Sequence, residues 1–386
     1  MAEPAAAPLS DAEVARWRTQ FPTLGRCTYL INNSLGAMPA GVPGSLTEFA
    51  RLWEEHGVEA WMSDWLPEVR AIAGMLGGLM GAPDGSVVLH QNVATLTSQV
   101  LSAVDFSAPR NRIVLADMDW PSHHYLAAGL ERLGAEMDVV ATDGRTVAAE
   151  AFAAAIDERT AIVLVGHVMF RTSAIVDVAT IAAAARRAGA LCLVDGYHAM
   201  GHMPVDVTAI DCDFYVGGSV KWLCGGPGVG YLYIRPGLLE QLRPFEVGWL
   251  GHARPFDFDT AWEPAPGAMG WLGGTPGVPS LYSAREGYKV ITEVTPARIR
   301  ATSRQLTARL VDGAMERDIE VRTPLDPDQR AGGVTLYLGD ETEAISRRLI
   351  EAGVIVDFRP GSGIRVGAHF FNTLDECDHL LAQLRP

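Results

Sequence analysis

The stretch from residue 160 to 195 constrains the fold more than any other part of the chain. Residues 160–166 form a near-continuous apolar run, the pattern of a strand buried on both faces. Asp177 then caps an Ala-rich helix that runs to Arg187 and is closed by Gly189. Residues 190–195 make a second apolar strand, and it ends in a carboxylate, Asp195. Strand, helix and strand in that order imply a right-handed crossover and a parallel sheet covered by helices.

The same alternation extends in both directions. Upstream, residues 86–90 and 111–116 read as strands that lead through polar turns into helices, the first to about Val104 and the second through Leu133. Downstream, residues 213–216 and 229–234 are apolar, β-branched and aromatic, and read as strands. Nearer the start, residues 10–21 read as a helix with Ser10 as cap and Glu13 three residues on. Residues 29–31 are a strand running into a polar turn at 32–36, and residues 43–56 and 67–80 have helical spacing. Trp53 and Trp65 read as core or interface packing. Residues 244–279 are irregular, and a structureless stretch of that length is usually functional. A long helical stretch begins at about Ala284. Beyond Arg317, strand-like pieces at 319–322, 333–338, 354–358 and 364–366 alternate with helices at 341–352 and 373–384. The expected fold is α/β, with a mainly parallel sheet carrying helices on both faces and a small α+β C-terminal domain. Residues 46–288 are assigned to the large domain, 289–386 to the small one, and 1–45 to an N-terminal segment that joins the small domain.

Composition removes several classes of function. The net charge of −15 argues against nucleic-acid binding, which wants a basic face. The five cysteines, Cys27, Cys192, Cys212, Cys224 and Cys377, are scattered without metal-type spacing, which points to a reducing, cytoplasmic location. Cys192 reads as a small buried hydrophobe. Residues 1–10 lack the basic-then-apolar order of a signal peptide, and apolar runs are too short for a membrane span.

Only two lysines occur, Lys221 and Lys289. Lys221 lies in Gly217-Gly218-Ser219-Val220-Lys221-Trp222-Leu223-Cys224-Gly225-Gly226-Pro227-Gly228, a Gly-rich turn between two strands. A solvated lysine needs no such frame. An amine that must lose its proton to attack a carbonyl does, because burial disfavours its charged form. Position alone leaves a plain loop lysine equally open; the upstream residues decide. Asp195 ends a strand. The turn at 91–95 opens a helix whose free N–H groups can hold an anion, although ordinary capping by Asn92 explains it as well. Trp120-Pro121-Ser122-His123-His124-Tyr125 puts an aromatic ring and histidines at a strand end, where open α/β sheets place ligands. His123 and His124 are adjacent and do not share a helix face, which argues against a metal pair. The set suits pyridoxal 5′-phosphate. Its aldehyde needs a lysine, its ring nitrogen a carboxylate, its ring face an aromatic lid, and its phosphate a helix N-terminus.

At this point the chain resembles the class V (fold-type I) pyridoxal-phosphate enzymes, and among them the kynureninases, over nearly its whole length. Asn33-Ser34-Leu35-Gly36 is similar to the family's Asn-Ser-Leu-Gly loop. Trp120 to Tyr125 resembles Phe-Pro-Ser-Asp-x-Tyr, and His167 to Thr172 resembles His-Val-x-Tyr-Arg-Thr. Asp195-Gly196-Tyr197-His198 and the Lys221 turn match in order, as do Gly248 to His252, Gly274-Thr275-Pro276, Phe358-Arg359-Pro360 and Ile364-Arg365-Val366. The resemblance implies that Lys221 forms the Schiff base and carries protons, that Asp195 pairs with the ring nitrogen, and that His198 sits by the ring's 3′-oxygen. It implies that Trp120 stacks on the ring, with His123 beside the cofactor. Backbone N–H groups of Val93 and Ala94 hold the phosphate, with Trp249 and, from a partner subunit, Thr275. Arg365 takes the substrate α-carboxylate, near Asn33 and Ser34. The implied partner is a second copy of the chain, in a homodimer with active sites at the interface; the implied substrate is an amino acid.

Two positions depart from the kynureninase pattern. Val220 stands where those enzymes carry a tyrosine, and His123 where they carry an aspartate. Val220 has no proton to give, so the expectation is a poor hydrolase of L-kynurenine that acts on a modified or different amino acid. Rival readings are class V transamination, β-elimination including sulfur removal, and epimerisation. Desulfuration wants a mobile loop cysteine, whereas Cys377 reads as helix-bound and Cys224 lies beside the lysine. A non-catalytic cofactor-binding protein is opposed by Lys221, Asp195 and Arg365 standing together.

Overall fold

The computed structural model describes residues 6–107 and 109–384. Residues 1–5, on which part of the signal-peptide reading falls, and the outer ends of the two terminal domain assignments lie outside the described residues. A short strand, β1 (Thr28–Tyr29), precedes a seven-stranded sheet. The sheet contains β2 (Val87–His90), β3 (Arg112–Ala116), β4 (Glu136–Val140), β5 (Thr160–Gly166), β6 (Leu191–Asp195), β7 (Phe214–Gly218) and β8 (Gly230–Ile234). Their order is β2-β8-β7-β6-β5-β3-β4. The run from β7 to β4 is parallel, and β8 is antiparallel to both its neighbours. Every residue of β5 is buried, as its unbroken apolar run requires.

Right-handed crossovers place the helices Val93–Ser102 and Pro121–Gly129 on one face, and Ala149–Ala155 and Val178–Ala188 on the other. The contacts agree, because the first two helices touch each other and so do the second two. The chain reverses its direction of travel between β3 and β5. The loops leaving those strands diverge to opposite faces and open a crevice at the strand ends, the usual ligand position in such sheets.

The C-terminal part adds β9 (Glu320–Val321), β10 (Gly333–Tyr337), β11 (Val354–Ile355), β12 (Asp357–Arg359) and β13 (Gly363–Gly367). Four of them form an antiparallel sheet in the order β12-β13-β10-β9, and β11 pairs in parallel with β1. A second core gathers Leu306, Leu310, Leu336, Leu349, Ile364 and Leu380 together with Leu30 from the N-terminal segment. The helix Asp11–Arg18, capped as expected by the Ser10–Glu13 box, instead sends Val14 and Trp17 into the main core.

Several expectations need correction. The helical stretch set at Ala284 begins at Val278, because Pro279 lies in the first turn, where a missing N–H costs nothing. That helix, Val278–Val294, also runs through the 288/289 boundary. The strand expected at 354–358 is two strands, since β11 follows β1 while β12 turns to β13. Of the two tryptophans expected in the core or an interface, Trp65 is buried, whereas Trp53 is 60% exposed, which leaves it only the interface alternative.

Candidate functional site

The lysine turn leaves β7 through Gly217 and Gly218. A Cβ on Gly218 would lie 2.1 Å from the Tyr197 ring, so glycine alone lets that ring slide in beneath the lysine. Ser219 Oγ donates to the Val229 carbonyl at 3.0 Å and also contacts the Tyr288 hydroxyl, which ties the turn to β8 and to the long helix. On the other side the 33–36 loop leans on it. The Gly36 N–H donates to the Val220 carbonyl at 2.7 Å, and a Cβ on Gly36 would sit 2.1 Å from the Lys221 carbonyl oxygen.

Lys221 is buried, with Nζ 2.7 Å from His198 Nε2, 4.1 Å from the Tyr197 ring centre and 5.4 Å from that of Trp120. Burial pulls its pKa down to about 7; Asp195 opposes the shift, while Arg365 and Arg359 add to it. Burial, with the Lys221 charge second, holds His198 neutral, so its Nε2 accepts from the lysine amine. These groups line one cavity together with Trp120, His123, Phe170 and Asp195. Asp195 Oδ1 accepts from the Tyr197 N–H at 2.8 Å, and Oδ2 lies 3.4 Å from His123 Nε2. Trp120 is half-exposed and meets Phe170 edge-on at 5.0 Å. Beneath them, buried Asp119 accepts from the N–H groups of Ala116 at 2.7 Å and Gly166 at 2.8 Å; burial pushes its carboxyl pKa up.

Arg365 reaches this seam from β13. Its Nε and Nη2 donate to Asp357, directly across the β12–β13 pair, at 2.8 and 2.6 Å, and its Nη1 donates to the Phe170 carbonyl at 2.8 Å. A guanidinium has five N–H donors, so it keeps spare donors for a carboxylate. Arg359 shares the same Asp357 at 2.9 Å.

The other expected residues lie outside the cavity lining. Val93 and Ala94 begin a helix whose cap, Asn92, accepts from the Thr95 N–H at 2.9 Å, and first-turn N–H groups have no intrahelical partner. Asn33 is buried with Oδ1 unpaired, and the Ser34 N–H donates to the Ile31 carbonyl at 2.8 Å. Trp249 packs against Trp61, Phe256 and Phe258, and exposed Thr275 borders a separate hollow beside His90 and Gln91. Among the described residues no group of three or more His, Cys, Asp or Glu is gathered to hold a metal. Sequence reasoning passed over Tyr197, Phe170 and Asp357. Tyr197 and Phe170 stood inside quoted motifs, and the only trace of Asp357 was its i, i+2 spacing to Arg359.

This arrangement fits pyridoxal phosphate on its own chemistry. A buried amine loses its proton near neutrality, a carboxylate faces the same cavity, and an indole forms one wall. The comparisons agree. The model of the family described as aminotransferase class-V matches residues 76–372. A kynureninase from Deinococcus radiodurans is 32% identical over 92% of this chain and 88% of its own. A kynureninase from Pseudomonas fluorescens is 30% identical over 92% and 87%. The fold matches the apo cysteine desulfurase from Thermococcus onnurineus NA1 with a TM-score of 0.87 at 19% identity, covering 98% of each chain. It also matches the cystine C-S lyase C-DES in complex with cysteine persulfide, with a TM-score of 0.86 at 22% identity, covering 95% and 99%. With the lysine, its carboxylate and the sheet that presents them all accounted for, the chain belongs to the class V aminotransferase family of pyridoxal-phosphate enzymes and is kynureninase-like.

Proposed function

We propose that this enzyme cleaves the Cβ–Cγ bond of a γ-keto α-amino acid other than unmodified L-kynurenine. The observation that carries the reading is Lys221: an amine drawn down to about 7 by burial, 2.7 Å from neutral His198, in one cavity with Asp195.

Bound pyridoxal phosphate supplies a conjugated ring that draws electrons from the substrate's α-carbon. Lys221 would hold it covalently, and the freed Nζ would accept a proton from the substrate. Asp195 would hold a proton on the ring nitrogen, and Trp120 would form the wall over the ring. His198 accepts from Nζ and orients it. Arg365, held by Asp357 and the Phe170 carbonyl, offers its remaining donors to the α-carboxylate. Asn33 and Ser34 border the substrate. Val93 and Ala94 offer backbone N–H groups to the phosphate. Trp249 adds a contact to the phosphate; exposed Thr275, bordering a separate hollow beside His90 and Gln91, supports a homodimer in which it reaches the partner's site. Division into a large domain and a small one, with the boundary beyond the helix Val278–Val294 and with Leu30 of the N-terminal segment joining the small domain, is supported by the second core around Leu336. A cytoplasmic location is supported by five unpaired cysteines. No helix among the described residues is long and apolar enough to cross a membrane. Sulfur removal is disfavoured, because Cys224 and Cys377 are buried and burial raises both thiol pKa values.

Borohydride should fix the cofactor to the Lys221 peptide; labelling of Lys289 would sink the assignment. Anthranilate release from L-kynurenine should be slow and should rise when Val220→Tyr restores a proton donor, since a general acid is commonly worth ~10²–10⁴ in rate. Rapid release by the wild type, unchanged by the substitution, would refute the substrate reading.

A further inference from the structure

The chain passes from the second core to the main one at residue 369. Ile364, Val366 and Ala368 pack with Leu336, whereas Phe370 and Phe371 pack in the main core against Phe21. The residue at the crossing, His369, is fully buried and takes no part in the chemistry above. Its Nδ1 accepts from the Phe370 N–H at 2.9 Å. The ring proton is therefore on Nε2, which donates to the Trp222 carbonyl at 2.8 Å. Burial lowers the ring's pKa to about 4, so it stays neutral and keeps this tautomer through neutral pH. The His369 N–H donates to Asn372 Oδ1 at 2.8 Å, and Asn372 Nδ2 donates to the Tyr29 carbonyl at 3.0 Å, which aims the imidazole from both sides.

Trp222 follows Lys221 directly, and three consecutive carbonyls of the lysine turn are taken. That of Val220 accepts from the Gly36 N–H at 2.7 Å, that of Lys221 from the Cys224 N–H at 3.0 Å, and that of Trp222 from the His369 ring. The first donor comes from the N-terminal segment and the second from the turn itself. The third comes from the segment that carries Arg365, four residues earlier. The Cys224 thiol also approaches the Trp222 carbonyl, at 3.9 Å, but is a weak donor. The Trp222 indole lies between two imidazoles, edge-on to His369 at 5.4 Å and 5.0 Å from His202, whose Nε2 meets Ser303 Oγ at 3.2 Å. A buried carbonyl that loses its donor must find another or move, and here movement carries the lysine with it.

We propose that His369 is the positioning residue of Lys221: its Nε2–H, bonded to the Trp222 carbonyl, fixes the lysine turn to the strand that presents Arg365. The proposal rests on the reading of Lys221 as the reactive amine. Arg365 receives the carboxylate and Lys221 handles a proton of the same substrate, so the two groups must keep a fixed separation. The bond from His369 ties them into one frame across the two cores.

The readout is the proton affinity of Lys221 itself, in the full chain freed of cofactor. Trace acetic anhydride labels neutral amines, and the Lys221 peptide is compared with the Lys289 peptide from pH 5.5 to 11. In the wild type Lys221 should titrate near 7. His369→Phe keeps a ring against Trp222 but has no donor. It should free the turn, take Nζ from its place beside His198 and raise the midpoint by about one unit, a tenfold change in proton binding. His369→Gln carries an N–H donor on a side chain of similar reach and should restore the wild-type midpoint. Ser303→Ala removes the partner of His202 on the other side of the indole, and should lower the urea midpoint without moving that of Lys221. His369→Leu replaces His369→Phe if the latter does not fold. A folded variant without the donor but with a wild-type Lys221 midpoint would overturn the proposal. So would a shift as large in His369→Gln or Ser303→Ala, because general loosening would then explain it. A wild-type Lys221 that titrates near 10.5 would overturn the reading of Lys221 as the reactive amine, and this proposal with it.

Discussion

Lys221 is held where its ordinary charge is least welcome. The folded protein binds its proton more weakly than the unfolded chain does, with the pKa lowered from 10.5 to about 7, chiefly by burial. Between these values the unfolded state holds more protons, so stability rises with pH from about 7 to 10.5 and carries the full penalty below about 7. Replacing the lysine by methionine removes this dependence. The melting temperature of apo Lys221→Met should exceed that of the apo wild type by more at pH 6 than at pH 9; a gap that does not change with pH would contradict the burial argument. Cofactor uptake should accelerate through the same midpoint. Lys221 and Asp195 were legible in the sequence because scarcity and strand-end position mark them without knowledge of neighbours. Tyr197 and Phe170 were not, since a single aromatic residue in a loop reads equally well as core. Asp357 escaped because its partner Arg365 is opposite it only once β12 pairs with β13.

Among the elements, apolar strands announced themselves, the edge strand β2 included, and the exposed edge strand β4 did not. β5 and β6 are unbroken apolar runs, whereas β4, at the sheet edge, interleaves Glu136 and Asp138 with its apolar residues and passes for coil. The link between the 33–36 loop and the lysine turn was equally invisible, being a backbone contact between distant segments. It has a mechanical consequence. Gly36→Ala puts a methyl group 2.1 Å from the Lys221 carbonyl, which is backbone and cannot swing aside. This overpacking should cost about 1–3 kcal/mol of stability and displace the lysine turn. Urea unfolding and cofactor occupancy should both fall in that variant. A Gly36→Ala protein with wild-type stability and full cofactor would show that the loop yields without effect.

For the whole molecule, aromatic residues at the surface are joined into one connected set through buried Trp65. Trp53 meets Trp65, Trp65 meets Trp61, and Trp61 meets Trp249, which packs on Phe256 and Phe258. Trp53 is 60% and Phe258 74% exposed, and neighbouring exposed aromatic residues mark an interaction surface. Sedimentation should give a homodimer, and Trp53→Glu with Phe258→Glu should give folded monomers that have lost activity; a fully active monomer would refute the interface reading. One last consequence follows from the scarcity of lysine. Lys289 lies on the surface in an ion pair with Glu286 at 2.9 Å, and Lys221 is the chain's single buried ε-amine. Small amine-reactive dyes therefore read cofactor occupancy as a stoichiometry: the loaded protein offers one free lysine, the empty protein two.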